Sequence, residues 1–164
     1  MGVIMSKLIG FVFAACLIGQ ASFAADGDKL VGTWKLVSYE VEAQTTGQKG
    51  PVMGDKPTGY ATFLPEGRVF FVITGEARKA AKTDQERAEL LSTLVAYSGT
   101  YSVDGDQWTT NVEVAWNPEW VGTKQVRNFK LDGNRLMVLT PWRVMPNWAD
   151  KGMTRSIVTF ERPK

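Results

Sequence analysis

Gly32-Thr33-Trp34-Lys35-Leu36-Val37-Ser38 opens the first of eight short segments in which apolar and polar residues alternate. A period of two is typical of β-strands, because successive side chains of a strand point to opposite faces of its sheet. We therefore predict eight strands. They span residues 31–43, 58–64, 67–74, 97–103, 107–116, 123–131, 134–140 and 154–162.

Tight-turn sequences connect several neighbouring strands. They are Leu64-Pro65-Glu66-Gly67, Asp104-Gly105-Asp106 and Asp132-Gly133-Asn134, in which glycine or asparagine accepts a positive φ. Such turns place consecutive strands side by side and antiparallel. The pattern predicts an all-β fold, an eight-stranded antiparallel up-and-down β-barrel, whose closure removes exposed edges and whose interior fits one small ligand.

One segment departs from the β pattern. Thr83-Asp84-Gln85-Glu86 is a capping box, and Ala88, Leu91 and Val95 follow at helical spacing. We predict a helix over about 83–96, between the third and fourth strands, and consider a helical turn before it at 76–82. Its apolar face predicts packing on the barrel or over its mouth, as a fixed plug or as a movable lid.

The N-terminal residues have the pattern of a secretory signal peptide. Lys7 precedes an apolar run over residues 8–19, and Ser22-Phe23-Ala24 supplies a cleavage site. We expect cleavage after Ala24, which leaves residues 25–164 as one domain in the periplasm or outside the cell. Cys16 allows a lipoprotein signal as an alternative, but the residues before it form a poor lipobox.

Composition narrows the function. The chain is 44% hydrophobic and 11% aromatic, which fits one globular domain with a sizeable core. Its formal charge of +2 gives no case for nucleic acid binding. It contains no histidine, and its one cysteine, Cys16, would leave with the signal peptide. We therefore expect no metal site, no cofactor, no His-dependent catalysis and no membrane-spanning segment in the mature chain.

Five sequence blocks between residues 30 and 162 resemble the lipocalin-like domain family, calycin-type proteins that are mostly bacterial and secreted or periplasmic. The resemblance implies an up-and-down barrel with a ligand in its interior, and it implies that Arg155 of the last strand covers Trp34. The blocks are Gly32-Thr33-Trp34-Lys35-Leu36-Val37-Ser38, Pro57-Thr58-Gly59-Tyr60, Tyr97-Ser98-Gly99-Thr100-Tyr101, Asn117-Pro118-Glu119-Trp120-Val121-Gly122-Thr123 and Arg127-Asn128-Phe129.

The predicted fifth strand alternates cleanly between two faces. We interpret its more apolar face as core and keep Asn111 and Glu113, on the other face, as residues of a partly polar pocket. The more apolar face consists of Trp108, Thr110, Val112, Val114 and Trp116.

Arg127 shares a predicted face with Phe129 and Leu131, so its charge needs a partner. That partner is either Glu113 on the neighbouring strand or the carboxylate of a bound acid.

Three aromatic residues complete the candidate site. The phenols of Tyr60 and Tyr101 would need a polar partner inside an apolar cavity. Trp142 lies in the turn-rich loop from Pro141 to Gly152, which we expect near the barrel opening. The candidate ligand-binding residues are Tyr60, Tyr101, Asn111, Glu113, Arg127 and Trp142, and we assign no catalytic residue.

The first functional hypothesis is binding of a small, largely hydrophobic molecule, such as a fatty acid, sterol-like or polyketide-like compound, in the barrel interior. The second is an isomerase or cyclase in which Glu113 or Tyr101 moves a proton. The third is a filled barrel that acts through its outer surface. An interior cavity below about 300 Å³ would favour the filled barrel.

Overall fold

The structure of the protein, a computed structural model, describes residues 27–164. The predicted signal peptide and Cys16 lie outside these residues. Ten strands, one α-helix and two 3₁₀ helices follow a helical turn at residues 27–30. The elements are β1 Gly32–Ala43, β2 Lys49–Pro51, β3 Thr58–Phe63, β4 Arg68–Thr74, α1 Asp84–Ser92, β5 Leu94–Asp104, β6 Gln107–Ala115, η1 Pro118–Trp120, β7 Lys124–Asp132, β8 Arg135–Leu139, β9 Arg143–Val144, η2 Pro146–Lys151 and β10 Met153–Glu161.

Eight strands form the closed barrel in the order β1-β3-β4-β5-β6-β7-β8-β10, and β10 pairs back onto β1. All neighbours are antiparallel. The prediction of an eight-stranded up-and-down barrel is therefore confirmed. The short strands β2 and β9, which the sequence pattern did not predict, extend β1 and β10 at the same end of the barrel.

The two ends of the barrel are built differently. The three predicted tight turns join β3 to β4, β5 to β6 and β7 to β8, all at the end where Trp34 lies. We call this the closed end. Long segments cross the opposite, open end, and they include residues 44–57, α1, η1 and the 140–152 segment with η2.

Trp34 closes the narrow end from the inside. The residue is 1% exposed, and its Nε1 donates a hydrogen bond to the carbonyl oxygen of Leu30 at 2.8 Å. The arginine over this ring is Arg162, whose guanidinium carbon lies 3.7 Å from the ring centroid. The expectation that Arg155 covers Trp34 is wrong, because Arg155 lies toward the open end, where it stacks on Trp142.

Gly32 has a physical reason to precede this tryptophan. Its φ is +112°, a conformation that residues with a Cβ rarely adopt. A Cβ atom at this position would also lie 2.5 Å from Nη1 of Arg162. The glycine therefore makes room for the arginine that stacks on Trp34.

Aromatic rings fill the closed half of the interior. The ring of Phe63 packs edge-on against those of Phe71, Tyr101 and Trp108 at centroid distances of 5.8, 5.1 and 5.3 Å. Trp108 also packs against Phe129 at 5.5 Å. Burial of such rings supplies most of the hydrophobic stabilisation of a small barrel.

A bulge changes the predicted faces of β6. Gly99 of β5 pairs with Val112, whereas Ser98 pairs with Val114, so Glu113 is the extra residue. A Cβ atom on Gly99 would lie 1.9 Å from the carbonyl oxygen of Asn111, which explains the glycine. Trp108, Thr110 and Val112 are core residues as predicted, but Val114 lies on the outer surface because the bulge shifts the alternation.

The helix is shorter than predicted. The capping box at Thr83 and Glu86 is present, but α1 ends at Ser92, and β5 begins at Leu94. Val95 is therefore a buried strand residue, and residues 76–82 form no helical turn. No residue of α1 is buried, so the prediction that an apolar face packs on the barrel is wrong.

We expect Gly32→Ala to lower the free energy of unfolding by about 1–3 kcal/mol, because it forces a residue with a Cβ into strained backbone and against Arg162. Arg162→Ala should cost about 0.5–2 kcal/mol through loss of the stacking on Trp34. The double variant should lose less stability than the two single variants together, because without the Arg162 side chain the Cβ at position 32 no longer clashes with it. Urea unfolding measures all three.

The matched control for Arg162→Ala is Arg135→Ala, on an exposed residue of β8. Its effect should stay within about 0.5 kcal/mol. Equal effects of the two arginine substitutions would contradict the role given to Arg162.

Candidate functional site

Two arginine side chains meet in the open half of the barrel. Arg127 belongs to β7 and is 5% exposed, and Arg143 belongs to β9 at the rim. Both bind the side-chain amide of Gln125, whose Oε1 accepts hydrogen bonds from Arg127 Nη2 at 3.1 Å and from Arg143 Nη1 at 2.6 Å. One neutral oxygen thus holds two cations together.

The other contacts of the pair are also uncharged. Arg127 Nη1 donates to the carbonyl oxygen of Val126 at 2.7 Å. The guanidinium carbon of Arg143 lies 5.1 Å from the ring centroid of Trp120. Arg143 Nε is buried and has no hydrogen-bond partner within residues 27–164.

Within the described part of the chain, no ion pair joins either arginine to a carboxylate. Glu113, the partner considered for Arg127, instead accepts a hydrogen bond from Arg68 Nη1 at 2.8 Å. It does so on the outer surface, because it alternates with the buried Val112 on β6. Pairing of Arg127 with Glu113 is therefore ruled out in this structure.

The shared location disfavours the charge on Arg143. Burial, and after it the nearby charge of Arg127, lower the pKa of Arg143 from its usual range to about 10. Since the folded-state pKa still lies above neutral pH, Arg143 is charged there and the charge destabilises the folded protein. An opposite charge beside the pair would remove this penalty.

Hydroxyl groups surround the arginines. The Tyr39 hydroxyl lies 2.9 Å from Oγ of Ser156, and Tyr97 interacts with Arg127. Burial raises the pKa of both Tyr39 and Tyr97, so both phenols stay protonated at neutral pH. Each can therefore act as a hydrogen-bond donor to a ligand.

The interior cavity beside these groups has a volume of about 30 Å³, enough for about one water molecule. Its wall is mainly apolar and includes Phe71, Trp108, Val138 and Phe160. This volume is below the limit of about 300 Å³ set above, so in this conformation the barrel is filled. A ligand of ordinary size requires a rearrangement at the open end.

Trp148 of η2 contacts both the wall of this cavity and a larger surface groove. Its ring packs edge-on against Tyr39 at 5.8 Å, and Tyr39 lines the cavity. Trp148 also lines the groove, which has a volume of about 650 Å³ and is bounded by residues 41–52 of β1, β2 and their loop. Movement of η2 would join the two spaces.

Few polar contacts fix η2 in place. Trp148 Nε1 donates to Thr154 Oγ1 at 3.3 Å, a long hydrogen bond. Asn147 Nδ2 donates to the carbonyl oxygens of Ser92 and Leu94 at 2.7 and 3.3 Å. The remainder of the attachment is apolar packing, which a hydrophobic ligand could replace.

The structure brings only one predicted site residue, Arg127, to the cavity. Tyr60 is 51% exposed, and Asn111 is also on the outer surface, where it bonds Thr100. The Tyr101 hydroxyl donates to the carbonyl oxygen of Leu64, toward the closed end. Tyr60 and Asn111 therefore face outward, and Tyr101 lies in the closed half of the interior, away from the cavity.

Trp142 lies at the rim but outside the cavity wall. The guanidinium carbon of Arg155 lies 4.6 Å from its ring centroid, and Arg155 pairs with Glu42 at 2.7 Å. Glu42 is also 3.9 Å from Lys49. Trp142 thus belongs to a charged cluster on the rim.

Sequence reasoning missed Tyr39, Gln125 and Arg143 as site residues. Tyr39 and Gln125 lie in predicted strands, but they are ordinary residues there and carry no motif. Arg143 lies next to Trp142 in a loop, where nothing in the sequence indicates that its side chain turns inward. A second arginine near the barrel opening was the only available signal.

Among residues 27–164, no cluster of three or more His, Cys, Asp or Glu side chains is arranged to bind a metal ion. Over the same residues, every helix is too short or too polar to cross a membrane.

Comparison with known proteins identifies the family of this barrel. A family profile described as lipocalin-like domain matches residues 31–163. No curated protein sequence is similar to this chain.

Six chains of solved structures match this fold. One is described as a redesigned beta barrel, with 13% identity, a TM-score of 0.43, and coverage of 84% of this chain and 95% of that chain. Another, mFAP2b bound to DFHBI, has 15% identity and a TM-score of 0.44, and the match covers 88% of this chain and 100% of that one.

We expect Arg143→Met to raise the free energy of unfolding at neutral pH by about 1 kcal/mol, because it removes a buried charge that has no opposite partner. Arg155→Met is the matched control. It should lower the free energy of unfolding by about 1 kcal/mol, since Arg155 has both a carboxylate and an indole partner. Urea unfolding of ligand-free protein distinguishes the two, and a destabilised Arg143→Met would contradict this account.

Proposed function

The chain belongs to the lipocalin-like domain family, and we propose that it binds a small, largely hydrophobic molecule in the open half of its barrel. The observation that carries this proposal is the position of Trp148. Its indole, on a short 3₁₀ helix, lines a groove of about 650 Å³ and packs against Tyr39 in the wall of a mainly apolar cavity. Displacement of that one segment creates a ligand-sized site.

The proposed mechanism is exchange of one apolar surface for another. When η2 moves outward, Tyr39 and Trp148 lose their mutual packing, and a ligand covers the exposed rings in its place. Burial of apolar ligand surface contributes about 25 cal/mol per Å², which offsets the opening of the segment. Such segment movements are common at the mouths of binding sites.

The small volume of the interior cavity favours a second function, that of a filled barrel acting through its outer surface. Four apolar side chains, 43–67% exposed, are adjacent on the outside of β3, β4 and β6. They are Tyr60, Phe70, Val72 and Val114. The ligand-binding proposal has the additional support of the unpaired arginines, which a purely structural filling does not explain.

An isomerase or cyclase has less support. Glu113 is on the outer surface, and Tyr101 donates its proton toward Leu64 at the closed end. Neither residue lines the cavity. Proton transfer to a substrate in the barrel would therefore require other groups.

We also propose that the protein is exported and that residues 1–24 are removed. This rests on the basic, apolar and small-residue order of residues 7–24. The intact mass of the protein from its own host, with N-terminal sequencing, should show a chain that begins at Ala25. A chain that retains Met1, or one acylated at Cys16, would contradict this.

Binding should be tested with N-phenyl-1-naphthylamine, an uncharged apolar fluorophore. We expect saturable binding with enhanced fluorescence and quenching of protein tryptophan. Trp148→Ala should strengthen binding severalfold, because it removes the ring that occupies the proposed site. Trp142→Ala, in the rim cluster, is the control and should leave the affinity unchanged.

The filled-barrel function predicts a different result. If the probe does not saturate, or if Trp148→Ala and Trp142→Ala change its affinity equally, the interior is not a binding site. Far-ultraviolet circular dichroism confirms that both variants keep the β fold.

A further inference from the structure

We propose that the ligand is an amphipathic carboxylic acid whose carboxylate is bound by Arg127 and Arg143 together. This inference rests on the proposed function and specifies the chemistry of the ligand.

The first argument is charge. Two cations share one neutral oxygen, Oε1 of Gln125, at 3.1 and 2.6 Å. Neither cation has a carboxylate partner within residues 27–164. Arg68 and Arg155, by contrast, each pair with a carboxylate, that of Glu113 and that of Glu42. An interior that gathers positive charge without a counter-ion is complementary to an anion.

The second argument is the hydrogen-bonding capacity that remains. Arg143 donates one described hydrogen bond, to Gln125, and its buried Nε has no partner in the described chain. Guanidinium groups bind carboxylates through two parallel N–H donors. Tyr39 and Tyr97 lie beside the pair and can donate further hydrogen bonds to a carboxylate.

The third argument concerns the rest of the ligand. The wall around the arginines is apolar and aromatic, with Val95, Trp120 and Val158 among its residues. The interior toward the closed end is filled by Phe63, Trp108 and their neighbours. A ligand that places its acid group on the arginines must therefore extend its apolar part toward Trp148 and the open end.

The test compares octanoate, octan-1-ol and octylamine as competitors of N-phenyl-1-naphthylamine. The three share one apolar chain and differ only in the head group. We expect octanoate to displace the probe at a concentration about tenfold or more below that needed for the alcohol or the amine.

Variants of the pair should remove this preference selectively. In Arg143→Gln, octanoate should compete no better than octan-1-ol, whereas affinity for the uncharged probe should change little. Arg143→Lys, which keeps the charge but not the paired donors, should retain part of the preference. Arg127→Gln should act like Arg143→Gln, and its result counts only if circular dichroism shows a folded barrel.

Arg155→Gln is the control, because it removes the same charge from the rim cluster and should leave the octanoate preference intact. If probe and alcohol bind but octanoate has no advantage, the inference is wrong and the proposed function stands. If neither the probe nor any octyl compound binds, both are wrong. Loss of the octanoate preference in Arg155→Gln to the same extent would show a general charge effect and overturn the assignment to Arg127 and Arg143.

Discussion

The pairing of β1 with β10 is the interaction on which the rest of the structure depends. Their antiparallel register runs from Lys35 with Glu161 to Ala43 with Thr154 and closes the sheet on itself. Closure satisfies the backbone groups of what would otherwise be two exposed edge strands. It also creates the interior, because the inward side chains of eight strands then face one another. The packing of the closed end and the cavity in the open half both depend on this closure.

The two ends divide stability and function between them. The closed end consists of tight turns and of the Trp34 ring stacked under the Arg162 guanidinium. The Nε1 of this indole has a hydrogen-bond partner. At the open end, longer segments carry two arginines that lack a counter-ion and a tryptophan held mainly by apolar contacts. Functional sites often retain such locally unfavourable groups, and the remainder of the fold compensates for them.

Much of the fold could be predicted from the sequence because alternation and turn chemistry are local signals. The turn at Asp132-Gly133-Asn134, for example, fixed the pairing of β7 with β8. The helix end was predicted wrongly because Val95 fits both a helical and an alternating pattern. In the structure Val95 is a strand residue that pairs with Ile73 of β4. The arginine that covers Trp34 was also predicted wrongly, as Arg155 instead of Arg162. The prediction rested on the family resemblance alone, whereas the position of the arginine depends on strand register.

The site was less predictable than the fold because it depends on contacts between distant segments. Arg127 could be recognised as unusual from its apolar neighbours, but its relation to Arg143 depends on Gln125 and on the path of a loop. Asn111 and Glu113 were kept as pocket residues because a ligand barrel can have a partly polar interior, but both lie on the outer face that regular alternation gives them beside the buried Thr110 and Val112. The bulge opposite Gly99 instead moves Val114, a predicted core residue, to the outer surface.

The central claim is that the open half of this barrel holds a small acid when the protein is in its natural environment. Native mass spectrometry of the protein purified from its own host tests it most directly. The account predicts a protein ion heavier than the polypeptide, with a released species that ionises as an organic acid once the protein is unfolded. A native mass equal to that of the bare polypeptide, in protein never exposed to denaturant or detergent, would contradict it.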